Sequence, residues 1–270
     1  MTGVIIRKEL TEFFRDRRFL TIAIILLALL GAASLDGWNR AQADRDARAA
    51  AIASDRDVWV NQGENNPHGA AHFSRYAFRP APPLAAFDPG LFDQAGAAFW
   101  MEAHYQNPTT LRRAEDSAVQ APFSSLSPAW IIQIVGTLAL AVLLHAGIAG
   151  ERERGTLKTL SAAGIPARTL SSGKFQATLV CVGVMTILLM GLSLLPALLS
   201  QSLGAQTVRL FWLVIAYSLM LSAFALTVLW LSARSRTVAR AFIASAFAWF
   251  TLALILPAMS GQLAVSLFPD

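Results

Sequence analysis

Charge is what this sequence has least of. Only 14% of its 270 residues are Asp, Glu, Lys or Arg, where a soluble domain carries about a quarter. The deficit is concentrated: residues 19–35, 128–149, 175–200, 210–231 and 241–259 contain none of the four. That pattern excludes a single soluble core and points to a polytopic membrane protein. Cysteine is nearly absent too. The one thiol, Cys181, lies inside an apolar run, so neither an intrachain disulfide nor a cysteine metal cluster can form. No G-x-x-x-x-G-K-[ST] is present; the single Gly-Lys, Gly173–Lys174, precedes Phe175 and lacks the upstream glycine. Without that backbone cradle the chain has no phosphate site and is no ATPase. It also lacks H-E-x-x-H, an intramembrane Asp pair, and any serine with a base at recognisable spacing, which removes the commoner membrane-enzyme chemistries.

What is present is hydrophobic and ordered along the chain. The residues are 55% hydrophobic, and the formal charge is +5. The basic residues flank the apolar runs instead of interleaving with aromatics, so they read as topology signals and not as a nucleic-acid face. Residues 1–18 form an amphipathic interfacial helix, with Ile5, Ile6, Leu10, Phe13 and Phe14 opposite Arg7, Lys8, Glu12, Arg15 and Arg18. A first span at 19–35 follows. The basic start and the small residues Gly31–Ser34 also fit a signal peptide, but the apolar run exceeds a usual h-region, and the segment reads as a retained anchor.

Residues 36–127 are the only long polar stretch and are expected to form a small, mostly helical extracytoplasmic domain. Trp38–Trp59 is Ala-, Arg- and Asp-rich and helical in composition. Arg79–Gly90 is broken by prolines, and a further helix is expected at about Leu91–Gln106 before a return loop. Spans follow at 128–149, 175–200, 210–231 and 241–259, and 260–270 begins an outer segment. Lys and Arg crowd three segments: Arg7 to Arg18, Arg152 to Lys174, and Arg234, Arg236 and Arg240, against Arg209 alone on the opposite side. The three basic segments are therefore cytoplasmic, and the N-terminus lies inside. The fold class is an all-α polytopic membrane protein with five spans.

Between the second and third spans lies GERERGTLKTLSAAGIPARTLSSGK, Gly150 to Lys174. Glu151–Ser161 is helix-forming, Gly164 is a left-handed stop, and Pro166 suits the first position of the next helix. Such a hairpin on two long spans would transmit a soluble partner's movement into the membrane. Glu151 and Glu153 would offer carboxylates to the partner's cations, and Leu157 and Leu160 an apolar face. The plainer reading is a juxtamembrane loop obeying charge rules.

The hairpin resembles the coupling-helix region of type-2 ATP-binding-cassette transporter permeases, E-x-E-x-G-T-L followed by P-x-x-R and G-K. Glu151, Glu153, Gly155, Thr156 and Leu157 match, then Pro166 with Arg168 one residue short, then Gly173 and Lys174. Ile5–Leu20 resembles the family's elbow helix. The resemblance implies a bacterial inner-membrane subunit with a periplasmic insertion after its first span. It further implies an exporter or extractor that works as a homo- or heterodimer of permease subunits with two ATPase subunits. ATP and Mg would be bound by those partners, and no cofactor by this chain. Members have six spans, so a sixth is expected beyond the five here.

Two other readings compete. A secondary transporter normally carries ionisable groups within its spans, but here those spans offer only His145, expected as a satisfied imidazole near an interface. A membrane enzyme with an outer histidine site would draw on His68 and His72 in HGAAH and on Glu102 and His104 in EAH. Histidines at i and i+4 can share one helical face and bind zinc or copper. Pro67 and Gly69 interrupt that helix, and the expectation is hydrogen-bonding histidines without metal. Arg75, Tyr76 and Arg79 in RYAFRP are candidates for contact with an anionic or aromatic ligand. Asp88 reads as a turn residue.

Overall fold

A computed structural model describes residues 1–80, 82–90, 95–110, 126–199 and 203–267. Five helices are long and apolar enough to cross a membrane, over Arg17–Val60, Pro128–Glu153, Ala167–Leu195, Thr207–Arg234 and Val238–Ala264. The chain is an all-α polytopic membrane protein. It divides into two compact units, one of residues 1–31, 130–193 and 202–270 and one of residues 32–129 and 194–201.

The first unit opens with α1 (Thr2–Arg15). Asp16 then leaves helical geometry (φ −69°, ψ 117°), and its Oδ1 accepts from the Arg18 N–H at 2.9 Å. One residue thus ends α1 and caps α2 (Arg17–Val60). The next span begins as α4 (Pro128–Trp130), passes through a π-helical turn at Ile131–Gly136, and continues as α5 (Thr137–Leu144). After a loosened turn come α6 (Ala149–Glu153), α7 (Thr156–Ala162), α8 (Ala167–Leu199) and α9 (Leu203–Arg234). The last span is α10 (Val238–Phe250), a second π turn at Thr251–Ile255, and α11 (Leu256–Leu267).

Helix α9 packs against both α5 and α10. Small residues make that approach close: Ala225, Ser232, Ala241 and Ser245 are fully buried, as expected where helices associate without a water-driven hydrophobic force. Leu140, Leu221 and Val228 fill the same core. Within the first π turn Ile134 O, which also receives the Thr137 N–H, accepts from Trp249 Nε1 at 2.9 Å, and Gln133 Nε2 nearby donates to the Tyr217 hydroxyl at 2.8 Å. His145 is buried, and its Nδ1 donates to Val142 O at 2.8 Å, the satisfied role expected of it.

In the second unit α2 runs unbroken to Val60, and α3 (Pro67–His72) is capped by Asn66, whose Oδ1 accepts from Gly69 N–H at 2.6 Å. The sequence left open whether this region holds a sheet. It does: β1 (Tyr76–Phe78) pairs antiparallel with β2 (Ala98–Trp100), with Tyr76 opposite Trp100 and Phe78 opposite Ala98. The helix expected over Leu91–Gln106 is corrected accordingly. Residues 91–94 lie outside the described residues, and 98–100 are strand. Aromatic cross-strand pairing favours the strand, with Tyr76 and Trp100 rings at 4.8 Å. Gly96 reinforces it: at φ +76° it meets Thr109 and Thr110 so closely that a Cβ would lie 2.8 Å from the Thr109 Cβ. Asp88 is the expected turn residue, its Oδ1 accepting from Gly90 N–H at 2.8 Å. Most of the expected return loop, 111–125, and the end of the chain, 268–270, lie outside the described residues.

Candidate functional site

The charged hairpin is built from two short helices and not from one. Gly155 has φ +78° and separates α6 from α7, so the single helix expected over Glu151–Ser161 is corrected to a bent pair. Only glycine takes that conformation without strain. At the far end Gly164 (φ +77°) closes α7 as expected. Its N–H donates to Ser161 O at 3.0 Å and that of Ile165 to Leu160 O at 3.2 Å, the paired bonds of a Schellman stop. Helix α8 begins at Ala167, with the Pro166 carbonyl accepting from Leu170 N–H at 3.2 Å. Pro166 therefore caps the helix, one position before the expected one.

The root of the hairpin, α6, is tied to four neighbouring helices by three consecutive side chains. Glu151 faces inward and is only 3% exposed. Its Oε1 receives Lys8 Nζ of α1 at 2.8 Å and Lys174 Nζ of α8 at 3.1 Å. Lys174, equally buried, also reaches Glu9 Oε1 at 2.8 Å and Gly147 O at 3.0 Å. Lys8 further pairs with Glu9 at 3.1 Å and Glu12 at 3.3 Å. Partial burial works to lower the Lys8 pKa. The hydrogen bonds to Glu151 and Glu9 and the two carboxylate charges outweigh it and hold the ammonium above its ordinary value. Beside this cluster Ile5 of α1 rests directly on Gly173, where a Cβ would stand 2.7 Å from Ile5 Cγ2. The glycine lets α1 approach, and the lysine beside it closes the ion pairs.

Arg152 turns to the end of α9. Its Nη2 donates to Ala233 O at 2.7 Å and its Nη1 to Ser235 O. A helix leaves its last carbonyls without partners and partly negative, and the guanidinium serves both needs. Glu153 turns to the start of α10, where its Oε2 accepts from Val238 N–H at 3.1 Å, an orphan donor at the positive end of a helix. The buried Ser232 completes the joint: its Oγ accepts from Ile148 and Ala149 N–H at 3.1 and 3.0 Å.

The expected partner-contact residues therefore divide. Glu151 is corrected: it is buried and bound to two lysines of its own chain, so it offers no carboxylate outward. Glu153 is exposed, but its carboxylate holds Val238. Gly155 sets the bend, and the Thr156 hydroxyl returns to Glu151 O at 3.1 Å. Leu157 and Leu160 are half-buried on α7, whose Lys158, Thr159, Ser161 and Ala162 are exposed. Glu9, Ser232 and the carbonyls at 233 and 235 carry no mark in the sequence; Lys8 is marked only as part of the polar face of the first helix, and Lys174 only through the matched Gly173–Lys174.

The outer candidates behave differently. Arg75 Nε donates to Asp55 Oδ2 at 3.0 Å, and the Tyr76 N–H donates to Asp55 Oδ1 at 3.0 Å. Arg75 thus fixes the entry to β1, and the Arg79 N–H extends the ladder to Ala97 O at 2.8 Å. The rings of His68, His72 and His104 come together, with centroids 4.8, 5.1 and 6.4 Å apart. Among the described residues, however, no group of three ligating side chains is arranged to hold a metal ion.

Residues 4–268 match the family model described as ABC-2 family transporter protein. The chain belongs to that family. No curated protein matches its sequence. Membership makes it a transmembrane permease subunit of an ABC transporter, not itself catalytic and implying ABC ATPase partners. The match runs from α1 into α11 and takes in the whole hairpin.

Proposed function

We propose that this ABC-2 permease subunit couples ATP hydrolysis by separate ATPase subunits to export or extraction of a substrate. The observation that carries the reading is the asymmetry of the hairpin. Its root is bonded to α1, α8, α9 and α10, while α7 has no buried residue and stands clear beyond the Gly155 bend. A docking partner would meet α7 first and move the root through it.

The docking surface is Thr156, Leu157 and Leu160 with the exposed Lys158, and Glu153 lies at its edge. Glu151 acts from inside the hairpin by holding its root to the lysines. The basic segments on the hairpin side support a cytoplasmic location for that side, in a bacterial inner membrane, and a periplasmic one for residues 36–127. A second permease subunit fits the last span, of whose most apolar window only 6% is buried within this chain. ATP and Mg belong to the partner ATPase.

The test is affinity purification of the tagged chain in mild detergent from its native membrane, followed by mass spectrometry. A stoichiometric P-loop ATPase is expected with the native chain, and its loss with Leu157→Asp combined with Leu160→Asp at unchanged membrane insertion. Retention by the double variant would move the docking surface elsewhere. Absence of any ATPase from the native preparation would remove the coupling role.

A further inference from the structure

We propose that the hairpin root, Ile148–Glu153, and the turn between the last two spans, Ser232–Val238, move as one body, with Arg152 and Glu153 as the positioning residues that join them. The inference rests on the coupling role above and adds where the movement goes: into α9 and α10, and not only into the spans the hairpin itself connects.

Five hydrogen bonds cross the joint, from Ile148 and Ala149 N–H to Ser232 Oγ, from Arg152 to the carbonyls of Ala233 and Ser235, and from Val238 N–H to Glu153. Each of them satisfies a backbone group at or beside a helix end: the N-cap and first donors of α6, a last-turn acceptor of α9 and the carbonyl just beyond it, and a first-turn donor of α10. The two parts therefore complete each other's termini. Sliding one past the other would strand donors and acceptors on both sides at once, and the two donors on Ser232, which is fully buried, would be left out of reach of water. The charges agree with the helix ends they face, a cation on the carbonyl end and an anion on the N–H end. Packing follows the same line, since α6 contacts both α9 and α10. A bend at Gly155 separates this root from α7, so flexing has a natural place outside the joint.

Two measurements test this independently. Amide hydrogen exchange on the purified chain in nanodiscs needs no partner. Glu153→Ala should speed exchange at Val238 about tenfold, the scale of losing one helix-capping bond, and Glu153→Gln, which keeps an acceptor, should restore most of the protection. Unchanged exchange in Glu153→Ala would overturn the joint itself. The second measurement uses the whole complex with its ATPase subunits and an Ala149→Cys, Ser232→Cys pair, where the native Cys181 is buried and does not compete. If the parts move together, the oxidised complex turns over ATP as fast as its own reduced form. Loss of turnover on oxidation, reversed by reductant, would show that they move against each other and would overturn the proposal. Failure to recover any ATPase defeats the coupling role, and this inference with it, whatever the exchange result.

Discussion

Replacing Lys174 with methionine keeps the length and apolar stem of the side chain and removes one charge with its donors. Lys174 is 3% exposed, and its ammonium serves Glu9 at 2.8 Å, Glu151 at 3.1 Å and the Gly147 carbonyl at 3.0 Å. Removing one member of a buried ion pair costs about 3–5 kcal/mol, because the remaining charge is left uncompensated. The lower end applies here. Lys8 stays on Glu151 at 2.8 Å, and the Glu9 side chain, 19% exposed, reaches water. The loss of about 3 kcal/mol falls on the attachment of α1, which has no buried residue of its own and is held by this cluster and the Ile5–Gly173 contact.

The assay is amide exchange across α1 in nanodiscs, since local opening has its own free energy. A cost of about 3 kcal/mol corresponds to roughly a hundredfold faster exchange. Lys8→Met, which removes a 45% exposed side chain, should cost about 1 kcal/mol or less. Adding Glu151→Gln to Lys174→Met should recover part of the loss by removing the stranded charge. High pH does not readily imitate Lys8→Met. The raised pKa of Lys8 means that its contribution is complete below the ordinary lysine value and is lost only as pH climbs through the higher folded value. A change of less than about threefold in Lys174→Met, under 1 kcal/mol, would show that Lys8 alone neutralises Glu151, and the cluster would not be what holds α1.

Gly155→Ala should cost about 1–2 kcal/mol, because φ +78° forces a Cβ into the left-handed region; scanning fluorimetry against Gly183→Ala, whose Cβ meets nothing within 4 Å, separates backbone strain from bulk. Gly173→Val should cost about 1–3 kcal/mol by overpacking against Ile5, and Ile5→Ala should restore much of it; no rescue in the double variant would mean that the two helices do not meet there. His68→Ala combined with His72→Ala should leave the bound metal content unchanged by elemental mass spectrometry, and stoichiometric loss of an ion would make the histidine cluster a metal site.

The spans were legible because the absence of charge over about 20 residues is a property of composition, and a bilayer demands it. The hairpin's stop was legible because Gly164 and Pro166 act through their own backbone geometry. Its bend is present in the letters as Gly155, yet a glycine inside a helical pattern can also be tolerated, so the letters alone do not distinguish a bent pair from a single helix. The destinations of Glu151 and Arg152 were not legible at all. Lys8 lies 143 positions from Glu151, and no local pattern links them. Arg152 bonds the carbonyls of Ala233 and Ser235, groups every residue carries. The strand at Ala98–Trp100 was hidden for the opposite reason: its alanine-rich surroundings favour helix, and the cross-strand aromatic contact that decides the matter comes from residues more than 20 positions away. The two π turns left no mark in the apolar periodicity.

The order of charges in Glu-Arg-Glu follows from helical geometry. Successive side chains on an α-helix diverge by about 100°, so three consecutive residues at the hairpin root look in three directions. Toward Glu151 lie two ammonium groups; toward Arg152, the carbonyl end of α9; toward Glu153, the N–H end of α10. Negative, positive, negative is the sequence of signs those surroundings require, and the directions are fixed by spacing. Exchanging Arg152 and Glu153 would leave composition and net charge untouched, yet set a carboxylate against carbonyls and a guanidinium against an N–H. One inserted residue would rotate each later side chain by about 100°, carrying it off its partner. The motif is therefore not a charged surface that happens to face a partner. It is a joint whose three side chains, buried or bonded within the chain, tie α6 to α1, α8, α9 and α10; under the proposed coupling, a push on α7 would be felt in all four.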